Sequence, residues 1–266
     1  MEVCYRHPKR ETGVHCSNCG RPICPDCMTT TPVGMRCPEC AGRSTTKVRT
    51  MRSMTDEPTL TYVLIGINVV AGIGSLYGGN VGTEGGTLTD AWAISRADMA
   101  AGEYWRLLTN GFVHVGIFHL AFNMLALWIL GSMLEPALGR RHLALVYFVS
   151  LLCGSLGVLL LGAEQSAGAS GAVFGLFGAT IVLYRSRGLS IMESGLGFWL
   201  GLNLLITFAV PNISIGAHLG GLAGGLLAAF VLVELGERGR VSMPVAEALT
   251  AAIGVGAVVA SIAGYG

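Results

Sequence analysis

Charge is what this chain has least of. Its 266 residues include only 17 Lys/Arg and 16 Asp/Glu, 12% of the total, where a soluble domain carries about 25%. The few charges are also unevenly spread. Residues 1–59 hold nine basic and six acidic side chains, leaving eight and ten for the 207 positions that follow. So few charges cannot cover the surface of a water-soluble globule, and the 52% hydrophobic content excludes a disordered chain. A net charge of +1 gives no electrostatic reason for nucleic-acid binding. An apolar signal region is also missing behind the polar stretch 1–10, so the start of the chain is not read as a signal peptide. What these absences leave is a small polar head on a polytopic, all-α membrane domain.

The head concentrates the cysteines. Seven of the eight precede residue 41, and the remaining one, Cys153, sits in an apolar run as an inert core residue. A head that is not exported meets a reducing cytosol, where clustered cysteines bind metal more often than they form disulfides. The order is Cys4-x2-His7, Cys16-x2-Cys19, Cys24-x2-Cys27 and Cys37-x2-Cys40. Each x2 spacing lets a tight turn aim two side chains at one ion. Eight ligands suffice for two tetrahedral zinc sites. His15 breaks the pattern and is read as surface or outer shell. Spacing alone does not pair the ligands. The run resembles the B-box type of zinc finger, in which alternate pairs share an ion. That resemblance implies one zinc on Cys4, His7, Cys24 and Cys27 and another on Cys16, Cys19, Cys37 and Cys40. The expected organisation is a zinc-binding module at 1–44, a Ser/Thr- and Arg-containing linker at 45–59 and a transmembrane domain at 60–263.

Seven apolar stretches fall at about 60–78, 113–134, 143–162, 167–184, 194–210, 213–233 and 246–263. Most have the length of a bilayer-spanning helix. An odd number of spans puts the two ends on opposite sides. With the head cytosolic, the inner segments carry Lys47, Arg49, Arg52, Arg140, Arg141, Arg185, Arg187, Arg238 and Arg240, and the outer ones only Arg96 and Arg106. That asymmetry favours a cytoplasmic N-terminus and an outside C-terminus. The segment 79–112 is then an outer loop, with Trp92, Tyr104 and Trp105 suited to the membrane interface.

Polar side chains within spans are functional candidates by default. The second span opens on His114-x4-His119-x3-Asn123, the fourth on Gly168-Ala169-Ser170-Gly171, and the sixth on Ala217-His218 with Gly221-x3-Gly225. In this orientation all three lie near the outer ends of their helices, at similar depth. His142 lies at the opposite boundary. A serine needs a base to become a nucleophile, and Ser170 stands at a helix start, where unpaired N–H groups and the dipole favour an oxyanion. Gly221 and Gly225 share the face of His218 and would pack against Gly171, Gly175 and Gly178.

These motifs, with Trp105-Arg106 in the outer loop, resemble the rhomboid family of intramembrane serine proteases over residues 60 to about 235. The resemblance implies a bundle of six core helices, here with a seventh at the C-terminal side. It implies a Ser170–His218 dyad without an acid, and an oxyanion site made by the Ser170 N–H with His119 and Asn123. It implies a supporting role for His114. Phe174 stands where many members place a tyrosine that stacks on the base; phenylalanine can stack but has no hydroxyl. Glu135, Arg140 and Arg141 suit a structural role at the inner end. The implied reaction is cleavage of single-span membrane proteins near the outer boundary, with no cofactor in catalysis. The zinc head, on the other side of a hydrocarbon core about 30 Å thick, would then be structural and would bind a cytosolic partner or a client's inner tail. Two rivals are weighed. A rhomboid-like protein that binds membrane clients without cutting them typically lacks the Ser or the His, and both are present. A transporter would call for acidic residues in mid-span and inverted repeats, and neither is evident.

Overall fold

The computed structural model describes residues 2–31, 34–42, 57–77, 87–162, 165–209 and 213–266. It divides into two compact units, Met1–Met54 and Thr55–Gly266. The expected linker, 45–59, lies outside the described residues up to position 56, as do Lys47, Arg49 and Arg52.

The first unit is built from two antiparallel hairpins and one short helix. β1 (Glu2–Cys4) pairs with β2 (His7–Thr12), β3 (Thr29–Thr31) pairs with β4 (Gly34–Arg36), and α1 is Pro38–Gly42. Its interior consists of six cysteines and Ile23, with Tyr5, Met28 and Met35 packed around them. A core of that composition buries little apolar surface, so an ion held by its sulfur atoms would add much of the fold's stability.

The second unit is helical throughout. α2 (Thr59–Tyr77) leads to three short helices, α3 (Thr87–Trp92), α4 (Arg96–Ala100) and α5 (Arg106–Thr109). Then come α6 (Ile117–Leu138), α7 (Arg140–Leu161), α8 (Ser170–Ser186), α9 (Leu196–Ala209), α10 (Ile215–Ala229) and α11 (Met243–Tyr265). The turns after α10, Phe230–Glu237, widen to π geometry. Four of these helices are long and apolar enough to cross a membrane: α6, α7, α10 with its π extension, and α11. α2, α8 and α9 are apolar but shorter, and α9 has only 14 residues. The seven helices fall on the seven stretches expected from hydropathy.

Two expectations change. The segment 79–112, read as loop, contains α3, α4 and α5 in its described part; helices of four to six residues are too short to leave a periodic pattern. His114, read as opening the second span, precedes the helix. Gly116 has φ +87, outside the helical region, and α6 begins one residue later.

Glycine sets the packing. α10 lies between α7 and α8 and carries one small-residue stripe for each. A Cβ on Gly221 would lie 2.0 Å from the Gly171 carbonyl oxygen, and one on Gly225 would lie 2.0 Å from that of Gly175. On the adjoining face, a Cβ on Gly216 would meet the Gly157 oxygen at 2.2 Å, and one on Gly220 the Cys153 oxygen at 2.4 Å. The three backbones therefore touch directly, the close approach that small residues give to membrane helices. α2 docks on α6 in a similar way: Gly131 leaves room for Thr61, and Gly72 for Leu120.

At one end of the bundle a buried carboxylate completes a helix. Glu135 of α6, 3% exposed, accepts from the Leu60 N–H at 2.9 Å and the Thr61 N–H at 2.8 Å, and from the Thr61 hydroxyl at 2.8 Å. These are unpaired donors of the first turn of α2, where a negative charge is favoured. Arg140 stands 3.5 Å away as counter-charge. Nearby, Arg141 and His142 both reach Glu247 of α11 at 3.1 Å.

Two substitutions test this packing. Gly221→Ala should destabilise the bundle by about 3 kcal/mol, since the new methyl meets backbone rather than a movable side chain. Gly256→Ala on α11, which has open space, serves as control. Glu135→Ala should cost about 2–3 kcal/mol by leaving charge-bonded N–H groups unpaired. Thermal unfolding in detergent reads both; an unchanged midpoint in Gly221→Ala would contradict the α8–α10 contact.

Candidate active site and metal-binding clusters

The end of the bundle opposite Glu135 gathers most of the polar residues singled out in the sequence. α8 starts at Ser170, preceded by Gly168 at φ +131, a conformation that only glycine adopts without strain. This turn is held from three directions. The Gly168 N–H donates to the Asn110 carbonyl at 2.8 Å. The Ala169 N–H donates to His114 Nε2 at 3.4 Å. Ser166 exchanges two backbone hydrogen bonds of 2.9 Å with Ile94. The His119 ring closes over Gly168, where a Cβ would lie 2.6 Å from its Cε1. His114 and His119 meet edge to face, with centroids 5.2 Å apart.

His218 comes from the first turn of α10 and is 8% exposed. Its ring stacks on Phe174, centroids 4.1 Å apart and planes 16° from parallel. Phe174 is four residues after Ser170, so both share a face of α8. Below them Gly171 abuts the Ala217 carbonyl, 3.2 Å from a Cβ built there. His218 Nδ1 lies 2.6 Å from the Thr207 hydroxyl of α9. Among the described residues, the Ser170 hydroxyl makes no hydrogen bond, to His218 or to any other group. Asn123 is buried on α6 and donates one amide hydrogen to the His119 carbonyl at 2.9 Å; an amide nitrogen has a second one to give.

Arg106 organises the segment over this end. It is 7% exposed and donates from Nη1 to the Asp90 and Ala93 carbonyls, both at 2.6 Å. Nε meets Glu103 at 2.5 Å, and Nη2 lies 3.6 Å from Asp98. Trp105 beside it is 54% exposed, its indole N–H directed at the Ala91 carbonyl. Arg96 donates to the Leu159 and Leu160 carbonyls at 2.7 and 3.0 Å, completing the C-terminus of α7 with a cation. Three residues here were not singled out from sequence: Asn110, Ser155, which accepts from the Asn110 amide at 2.9 Å, and Thr207.

In the N-terminal unit the ligand candidates converge in two sets, Cys4, His7, Cys24 and Cys27, and Cys16, Cys19, Cys37 and Cys40. This is the alternate pairing that the B-box resemblance implies. Within each set the candidate atoms lie within 4.8 Å of one another. His7 Nδ1 is 3.3 Å from the Cys24 and Cys27 sulfurs and 3.8 Å from that of Cys4. Cys19 and Cys37 Sγ are 3.8 Å apart. A tetrahedral ion with metal–sulfur bonds of about 2.3 Å and metal–nitrogen bonds of about 2.0–2.1 Å needs ligand separations of about 3.5–3.8 Å, so both sets can hold a metal. The Cys37 N–H donates to Cys16 Sγ at 3.3 Å and lowers that thiol to about 6, whereas burial raises Cys37 to about 12. A shared cation would draw all the sulfurs toward thiolate. His15 is in neither set; its Nε2 pairs with Glu2 at 2.6 Å.

A helical bundle with this many full-length apolar helices is a multi-pass membrane protein, and its polar cluster lies at one end of the spans. The family described as Rhomboid domain matches residues 101–235, and the chain belongs to the rhomboid family. It is similar to "Rhomboid protease GluP" of Bacillus subtilis (strain 168), 38% identical over 180 residues, which cover 66% of this chain and 35% of that protein. It is also similar to "Putative rhomboid protease YdcA" of the same organism, 37% identical over 145 residues, 53% of this chain and 73% of that one. "RHOMBOID-like protein 5" of Arabidopsis thaliana is 34% identical over 166 residues, 59% and 53% of the two chains. The chain thus spans about a third of GluP's length and about half of the plant protein's.

Arg106 gives this end a direct test. Arg106→Met removes a forked donor set and leaves Asp98 and Glu103 without their cation. It should cost about 3 kcal/mol and speed hydrogen exchange in residues 87–112 while leaving α7 and α10 protected. Arg106→Lys should fall between, because an ammonium cannot span all four partners. Unchanged exchange in Arg106→Met would remove its organising role.

Proposed function

We propose that this protein is an intramembrane serine endopeptidase that cuts transmembrane-helix substrates near the outer membrane boundary. The reading is carried by one observation: His218 stacks on Phe174, one turn along from Ser170 on the same face of α8. Thr207 engages His218 Nδ1 at 2.6 Å, which leaves Nε2 as the nitrogen free to work on the serine. Membership of a family whose relatives are named proteases supports it.

In this mechanism Ser170 Oγ attacks the scissile carbonyl as its proton passes to His218. The resulting oxyanion is received by the Ser170 N–H at the start of α8, by the His119 ring and by the spare amide hydrogen of Asn123. His218 returns the proton to the leaving amine, and water then hydrolyses the acyl-enzyme. Hydrolysis needs water at Ser170, which fits a site at the end of the spans. The N-terminus is assigned to the cytoplasm on the Lys/Arg asymmetry.

The two ligand sets of the N-terminal module are assigned to zinc. Eight protein ligands leave no open coordination position, so the ions would serve folding and not hydrolysis. The module is assigned to recruitment of a cytosolic partner or a client's inner tail.

Ser170→Ala and His218→Ala should each abolish cleavage of a model transmembrane substrate with little change in unfolding temperature. His119→Ala and Asn123→Ala should lower kcat about 10²–10³-fold more than they change KM. Substantial cleavage by purified Ser170→Ala would overturn the Ser170 assignment, whereas a wild type that neither cleaves nor labels with a serine-directed probe would leave the client-binding reading in its place. Metal analysis of protein purified without chelator should give about two zinc ions per chain, and Cys24→Ser should lose one of them. No zinc in the wild type would overturn the metal assignment.

A further inference from the structure

Resting on the Ser170–His218 reading, we propose that Thr207 is the positioning residue that fixes the tautomer of His218, keeping its proton on Nδ1 and its Nε2 bare toward Ser170. The Thr207 hydroxyl has two neighbours. It lies 2.7 Å from the Asn203 carbonyl, one turn back on α9, and 2.6 Å from His218 Nδ1. A carbonyl oxygen can only accept, so the single hydroxyl proton is spent on Asn203. Toward His218 the oxygen can then only accept, and Nδ1 must carry the hydrogen. In a neutral imidazole the other nitrogen is thereby left with its lone pair, the form a general base requires.

The surroundings favour this assignment. Thr207 is 2% exposed, and it is the one buried residue of α9, whose other residues are half-buried or exposed. Among the described residues, no carboxylate hydrogen-bonds to His218. The task that an acid performs in a three-residue arrangement, orienting the ring and selecting its tautomer, therefore falls to a hydroxyl already polarised by a backbone carbonyl. Phe174 and Thr207 act on different freedoms of the ring. Stacking fixes its plane, and the Nδ1–H bond fixes its rotation within that plane. During attack, the Ser170 proton moves to Nε2 and the Nδ1–H···O bond becomes charge-assisted. Thr207 gives up no proton at any point.

The test uses purified full-length protein and a fluorogenic transmembrane peptide. Thr207→Val keeps the shape and removes the acceptor. It should lower kcat about tenfold to hundredfold, a part of the roughly 10²–10⁴-fold that general acid–base catalysis supplies, with KM little changed. Thr207→Ser keeps the hydroxyl and should recover most of that loss. Wild-type kcat in Thr207→Val, or equal loss in the Val and Ser variants, overturns the role. Ser170→Ala and His218→Ala run alongside: activity in those variants sinks the dyad reading itself, whereas their inactivity beside a Thr207→Val with wild-type kcat sinks the Thr207 role alone. Should Thr207→Val fail to fold, 15N spectra of histidine-labelled wild-type protein decide, with the His218 signal assigned by its loss in His218→Gln. A protonated Nδ1 with bare Nε2 sustains the proposal, and the reverse tautomer overturns it.

Discussion

The contact on which the membrane unit depends is backbone against backbone. α10 reaches α8 through Gly221 and Gly225 and α7 through Gly216 and Gly220, with no side chain between the main chains. In lipid, apolar side chains gain little by leaving one hydrocarbon environment for another, so close van der Waals approach decides which helices associate. The same contact has a chemical consequence. His218 stands at the head of α10 and Ser170 at the head of α8, so the distance between their backbones is set by glycine packing a turn or two further along. The geometry of the polar cluster is inherited from the least functional-looking residues of the chain.

Hydroxyls inside the bundle divide into two kinds. Ser150, Thr180, Thr250 and Ser261 donate to the carbonyl four residues back and meet no other helix through a hydrogen bond. This is local satisfaction of a donor where water is excluded. Thr207 makes the same local bond and then a second one to another helix. Ser155 shares its one hydroxyl proton between the Leu107 carbonyl at 2.8 Å and the local Leu151 carbonyl at 3.1 Å, while accepting from Asn110. Cross-helix hydroxyl bonds occur at both ends, Thr207 and Ser155 near Ser170 and Thr61 to Glu135 at the other, with Asn68 and Tyr147, 3.4 Å apart, as a weaker instance deeper in. In Thr207 the local bond takes the hydroxyl's proton, and its lone pair is what remains to do work between helices.

The N-terminal unit solves a different problem. Its strands are three to six residues long, and among the described residues Ile23 is the one fully buried aliphatic side chain. Such a chain cannot offset its conformational entropy by hydrophobic burial. The backbone is instead arranged around sulfur: Cys37 N–H donates to Cys16, and the Asn18 amide to Cys40. These bonds favour thiolates before any cation arrives, at the cost of gathering like charges. A divalent ion in either set would resolve that conflict and at once tie together chain segments up to 24 residues apart (Cys16 to Cys40). The same groups supply the core, the charge and the cross-link.

How much of this could be read in advance follows from which signals are local. Ligand pairs at x2 spacing and apolar runs of helical length are properties of consecutive residues, and the sequence displays both. Polar residues in apolar runs, such as His119 and His218, stand out for the same reason. The stripe Gly216-x3-Gly220-x3-Gly224 on α10 was equally visible, yet following the face of His218 leads only to its neighbour, Gly221 and Gly225. A helix with two small-residue faces has two partners, and that count was available from the periodicity alone. Thr207 had no such signal. A threonine in an apolar run reads as a locally satisfied hydroxyl, and it is one; its second bond depends on where α10 places a ring, a fact belonging to tertiary structure. His114 marks the opposite error. Apart from His114 itself, 113–118 holds only apolar residues and a glycine, but a single glycine dihedral at Gly116 decides that His114 lies in the turn, where its ring can receive the Ala169 N–H instead of facing along a helix. Composition reports which residues can be buried, and it is the backbone that decides what they then touch.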